Sequence, residues 1–235
     1  MPSTFLDAKI EILQYAKRDI SDPVWSNIAG SIINESVVKL QRVVSNLSAL
    51  GRVESGFLYP VGEKTVNFTN QETGTDVNKV MSVHLVQTSE DWEGLPLRVY
   101  TYEQLMGEIK NFNESKVRVE LDMNSANTFA EYVRSVWGHV AFTLGSDIGL
   151  YPPPSEPKIL AIHYTPWLPA LVADLDTNTL LRYCWEFILY ASLVRLNLLL
   201  SESDRIAVSG QLLSIALGEV RNWDKSLSYS NPIEM

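Results

Sequence analysis

Hydrophobic positions follow a helical period near both ends of this chain and a strand period between them. Ile33, Val37, Leu40, Val44 and Leu47 recur at spacings of four, three, four and three, which lays an apolar stripe along one face of a helix. Pro23 stands near its start, after Ser21 and Asp22, residues suited to capping the unpaired amides of a first turn. Gly51 is expected to end it, because glycine takes the left-handed conformation at little cost. Leu6, Ile10 and Leu13 mark one face of a shorter preceding helix. Towards the other end, Leu180, Cys184, Phe187, Ala191, Val194 and Leu198 form a second long stripe. Asp176-Thr-Asn-Thr precedes that stripe, and Ser201-Glu-Ser-Asp separates it from a last helix carrying Ile206, Leu213, Leu217, Val220 and Trp223.

From Arg52 the period shortens to two. Phe57, Tyr59 and Val61, then Val66 and Phe68, alternate as strand residues do. Further strands are expected at Val80–Val86, Leu97–Tyr100, Val117–Leu121, Tyr132–Leu144, Ile148–Tyr151 and Lys158–Thr165, with a lone helix at Tyr102–Asn111. Turns are expected at Gly145-Ser-Asp and Pro152-Pro-Pro. None of the helices can bury its stripe alone. The expected class is therefore α+β: a bundle of about four helices drawn from both chain ends, with an inserted antiparallel β domain. The boundaries fall at 1–50 for the N-terminal helices, 51–165 for the insertion and 166–224 for the C-terminal helices. Residues 225–235 form an extended tail.

Composition narrows the function classes. The formal charge is −9, from 19 basic and 28 acidic side chains. Most of the acidic excess lies in residues 51–165, with nine basic against fifteen acidic residues. No Lys/Arg cluster is placed to neutralise a row of phosphates, which argues against binding the nucleic-acid backbone. The longest apolar run, Phe187 to Leu200, is too short for a membrane span and is interrupted by Arg195 and Asn197. The first residues lack the basic stretch and apolar core of a signal peptide.

Candidate chemistry is sparse. His84, His139 and His163 fall on expected strands, and none has a second ligand at metal-binding spacing, so no metal or cofactor is expected. Cys184, the single cysteine, sits in an apolar stripe and reads as a small buried hydrophobe. Asp174 and Asp176 could pair as acid and base, but their place just before a helix favours capping. No phosphate loop, nucleophile elbow or zinc-protease helix is present. The chain is read as a non-enzyme, with a β-domain enzyme or ligand-binding module as the competing reading. Residues 225–235 leave two readings open: fraying of a terminus, or a segment that orders on a partner through its spaced apolar residues.

The order of elements and several short motifs resemble the portal–tail adaptors of tailed bacteriophages, also called head completion or head-to-tail connector proteins. The motifs are Phe57-Leu-Tyr-Pro60, Gly145-Ser-Asp-Ile-Gly-Leu-Tyr-Pro-Pro-Pro154, Ile159-Leu-Ala-Ile-His-Tyr164, Leu168-Pro-Ala-Leu171, Asp176-Thr-Asn-Thr-Leu-Leu181 and Glu202-Ser-Asp-Arg-Ile-Ala207. The likeness is clearest over 140–224. It implies a ring, usually of twelve copies, docked beneath the portal protein, extending the DNA channel and presenting a surface to a downstream tail or nozzle protein. Genomic DNA would pass without specific binding, and the location would be the virion neck. Carried onto this chain, the resemblance makes Leu227, Tyr229, Pro232, Ile233 and Met235 the portal-binding candidates. A tail-completion or terminator ring is the nearest alternative, though such rings are more often β-rich with few helices.

Overall fold

The computed structural model describes residues 2–44, 47, 50–68, 77–87, 94–118, 128–145 and 147–230, with side chains except at 115–118 and 227–230. Two compact units emerge: residues 1–50 together with 167–235, and residues 51–166. The elements, in chain order, are α1 (Phe5–Tyr15), α2 (Pro23–Val43), β1 (Arg52–Tyr59), β2 (Val66–Asn67), β3 (Val77–Val86), β4 (Leu95–Leu97) and β5 (Val99–Thr101). There follow α3 (Tyr102–Arg118), α4 (Phe129–Val136), β6 (Val140–Leu144), β7 (Asp147–Tyr151), β8 (Lys158–Pro166), α5 (Thr179–Tyr183), α6 (Trp185–Leu199) and α7 (Ser203–Ser230).

Local chemistry sets the helix ends of the first unit. Thr4 and Asp7 exchange hydrogen bonds in a capping box, the Asp7 amide donating to Thr4 Oγ1 at 3.2 Å and the Thr4 amide to Asp7 Oδ2 at 3.1 Å. Asp22 caps α2 by accepting from the Val24 amide at 2.8 Å, with Pro23 at the first helical position. Helix α2 stops at Val43, well short of Gly51. The C-terminal stripe is two helices, because Cys184 leaves helical dihedrals (φ −119°, ψ 28°) between α5 and α6. That break lets Leu180, Leu181, Trp185 and Phe187 all reach one core with Ile12, Ile33, Val37 and Leu40. Along α1 the buried face is Phe5, Ala8, Ile12 and Leu13, while Leu6 is exposed.

A bundle of about four equivalent helices is not what forms. Seven helices occur among the described residues, and two of them, α3 and α4, belong to the inserted unit. Helix α6 buries Phe187, Ile188, Leu189, Ser192, Leu193 and Leu196, which occupy most of its circumference. It is a central helix with α1, α2, α5 and α7 against it, whereas a four-helix bundle gives each member one buried stripe. The broader α+β class remains compatible with the observed mixture.

The second unit packs two four-stranded sheets, ordered β1-β8-β3-β4 and β2-β7-β6-β5. Phe57, Tyr59, Phe68, Val83, Ile148, Leu160, Ile162 and Tyr164 form one core of this unit. Rings of Phe57, Phe68 and Tyr164 meet edge to face at 5.3 and 5.1 Å. A purely antiparallel domain is overturned by β5 and β6, which pair in parallel, Val99 opposite Ala141 and Thr101 opposite Thr143. Parallel neighbours need a long crossover; here it contains α3 and α4, whose Leu105, Phe129 and Val133 cluster with Val140 and Phe142. Helix α4 takes the first part of the span read as a strand at Tyr132–Leu144, and α3 extends to Arg118 through Val117. Val119 and Leu121, from the same expected strand, lie outside the described residues. The stretch read as one strand at Leu97–Tyr100 divides at Arg98, β4 joining β3 in one sheet and β5 joining β6 in the other.

Candidate functional site: the helical surface and its surroundings

The expected portal-binding residues divide at the end of α7. Leu227 and Tyr229 belong to its last two turns, so this part of the expected tail is helical. Pro232, Ile233 and Met235 lie outside the described residues. The helix reaches Ser230 without meeting a proline after its start, and each added residue extends an existing hydrogen-bond ladder at little nucleation cost.

Helix α7 packs one apolar face and carries two large apolar residues outside it. Ala216 and Val220 are buried, with Leu213, Leu217 and Trp223 packed beside them against the helical core. Trp223 stacks on Tyr183 with ring centroids 5.6 Å apart. Val208 and Ile215, two helical turns apart, point away from that core at 58% and 60% exposure. Gly210 and Gly218 lie on the same helix with no atom within 4 Å of where a side chain would begin. At the end of α6, Leu198 and Leu199 are exposed as well. Nothing in the inward stripe could have announced these outward residues. Their only signal in the sequence is that α7 has more apolar residues than one stripe needs.

A groove of about 350 Å³ runs between α2 and α6, lined by Glu35, Lys39, Val194, Arg195 and Leu198 among others. Arg195 Nε lies 3.6 Å from Glu35 Oε2, with both side chains more than half exposed, so this pair is worth little to stability.

The loop ahead of α5 is held by side chains from α1 and α2. Asn34 donates from Nδ2 to the Leu171 carbonyl and accepts from the Leu171 amide, both at 2.9 Å. Asp174 is paired with Lys9. Asp176 accepts from the Val172 and Ala173 amides, and these bonds hold its carboxyl below the usual range. Asn178 caps α5 by accepting from the Leu181 amide at 2.7 Å. Asp174 and Asp176 therefore serve loop structure, while the cap itself falls to Asn178. Val172 and Leu175 on this loop are 82% and 81% exposed.

Burial pushes the Cys184 thiol up to about 12, with Asp224 adding to the shift, which leaves no thiolate for nucleophilic work. His139 precedes β6 and its Nδ1 lies 2.8 Å from the Pro152 carbonyl oxygen, which can only accept. His84 on β3 and His163 on β8 come together, their rings stacked at 5.1 Å. No group of three or more His, Cys, Asp or Glu side chains suited to a metal occurs among the described residues. In the inserted unit, a cavity of about 460 Å³ opens between Tyr102, Met106, Phe142, Leu144 and Tyr151. Among the described residues, no helix is long and apolar enough to cross a membrane.

No known protein family and no curated protein matches this chain.

Proposed function

We propose that this chain is a structural, non-enzymatic subunit of a tailed-bacteriophage neck: twelve copies form a ring that joins the portal protein to a downstream tail or nozzle protein. The observation that carries the reading is the apolar surface left uncovered on α7. Val208 and Ile215 stand more than half exposed on a helix whose opposite side is already packed, and together with Leu198 and Leu199 they supply apolar surface that a neighbouring copy could cover. The motifs over 140–224 that resemble portal–tail adaptors support the same reading. So does the charge of −9, which suits a channel wall that repels DNA rather than gripping it. In this arrangement neighbouring copies meet along α7 and the end of α6, and the segment from Leu227 onward engages the portal. The particle location is then the neck, and no membrane is involved.

The test is assembly on purified portal. Wild-type protein is expected to produce a ring visible in averaged images with rotational symmetry. The double substitution Val208→Asp, Ile215→Asp keeps the helical circular dichroism of the monomer, because it alters exposed positions, and fails to close the ring. Rings of normal symmetry from the double variant, or wild-type density without rotational symmetry, sink the proposal.

A further inference from the structure

The cavity of the inserted unit is a feature that the neck reading does not use. Its volume of about 460 Å³ falls within the roughly 300–1,000 Å³ of sites that take one small organic molecule. Leu105 and Met106 follow Tyr102 by three and four residues along α3, so all three lie on one side of that helix. Phe142 and Leu144, two apart on β6, share one face of their sheet. The lining is completed by Leu150 and Tyr151 on β7, and by Lys64 and Thr65 just before β2. Gly149 lets these parts approach. It lies opposite Phe142 on the neighbouring strand, and a Cβ there would overlap the Phe142 ring and crowd the Lys64 carbonyl oxygen.

Apolar groups dominate the lining. Leu105, Phe142 and Leu150 are buried, whereas Tyr102, Met106 and Leu144 are each more than one-third exposed around them. Large apolar side chains left open around a recess are a mark of a ligand site. The few polar groups set the charge of that ligand. Among the described lining residues Lys64 carries the only charge and none is acidic, although residues 51–165 hold fifteen acidic side chains against nine basic. Lys64 has no ion-pair partner among the described residues, and neither the Tyr102 nor the Tyr151 hydroxyl has a hydrogen-bond partner there. Burial raises the Tyr151 pKa, which keeps its hydroxyl protonated and able to donate. An ammonium and two phenols offer donors to an anion, and donation to a carboxylate is stronger than donation to a neutral group.

We propose that this cavity binds a small aromatic carboxylate, its ring against Tyr102, Met106 and Phe142 and its carboxylate towards Lys64. The Tyr102 and Phe142 rings lie 6.0 Å apart and are tilted by 48°, so a flat ligand ring meets the offset and edge-on arrangements that aromatic groups prefer. The Met106 thioether adapts to the edge of such a ring. Lys64 is exposed, which makes its charge a modest and salt-sensitive contribution that selects the sign of the ligand. Burial of the ring supplies most of the affinity.

Calorimetric titration of the full-length protein with 2-naphthoate, with its neutral amide and with 2-naphthylmethylammonium tests this. One equivalent of naphthoate is expected to bind, about fivefold more tightly than the amide, with the ammonium weakest. Lys64→Gln should bring naphthoate down to the affinity of the amide. Met106→Trp, at the rim, should obstruct both ligands, while Lys110→Gln, on α3 but outside the lining, changes neither. Lys64→Gln alters an exposed position, so it keeps the test decisive if Met106→Trp fails to fold. No saturable binding of naphthoate, equal affinity for the three probes, binding untouched by Met106→Trp in a folded variant, or an equal loss in Lys110→Gln overturns the site.

Discussion

Phe187 shows how far a single position was legible. It is the largest member of the C-terminal stripe and is 2% exposed within the helical core. Phe187→Ala should destabilise the protein by about 3–5 kcal/mol, as for large buried aromatics, measured by urea unfolding. A change within error would mean that the site collapses without cost. The same stripe placed Val194 and Leu198 in the core, yet Leu198 is exposed and its neighbour Leu196 is fully buried. Polar residues at the centre were not legible at all. Ser36 donates to the Ile32 carbonyl and lies 3.0 Å from the Ser192 hydroxyl, so two serines join α2 to α6 without an unsatisfied group. Gly149 is another such residue. It faces Phe142 across β6 and β7, and any side chain there would meet that ring.

Elements were read well where the period was unbroken, as at the start of α2 and in β3 and β8. Failures came where a short amphipathic run fits both periods. Phe129–Val136 begins with a capping box, Thr128 and Glu131 bonding reciprocally, and this signal outweighs the aromatic and β-branched content that suggested a strand. The end of α7 is the case with consequences. Removing residues 225–235 deletes six helical residues as well as the segment beyond Ser230, whereas removing 231–235 spares the helix. Both truncations are expected to fold, and both to bind portal more weakly, in a pull-down or by light scattering. If truncation at 231 binds normally and truncation at 225 does not, recognition belongs to the helix with Leu227 and Tyr229. Normal binding by both removes this segment from the portal interface.

The inserted unit begins and ends on adjacent strands. Arg52 of β1 lies opposite Tyr164 of β8, so its two connections to the rest of the chain leave side by side, the arrangement that makes a domain insertable. It also has its own buried core around Tyr59, Phe68 and Tyr164. Residues 51–166 expressed alone should therefore fold and unfold cooperatively, followed by near-ultraviolet circular dichroism on heating. A fragment with strand content but no fixed aromatic signal would show that its core needs the remainder of the chain. The proposed assembly into a ring rests on the other unit, through α6 and α7.

Apolar periodicity and capping residues were enough to locate the helical ends and the β-rich insertion, because those signals act over a few neighbouring residues. Tertiary structure alone decided that α6 is central, that β5 and β6 run parallel, and that His84 and His163 stack. Each depends on which distant segments meet, and burial on several sides leaves no period to read. The outward side of α7 belongs to the same class. Which of its apolar residues face outward is known only once its packed side is known.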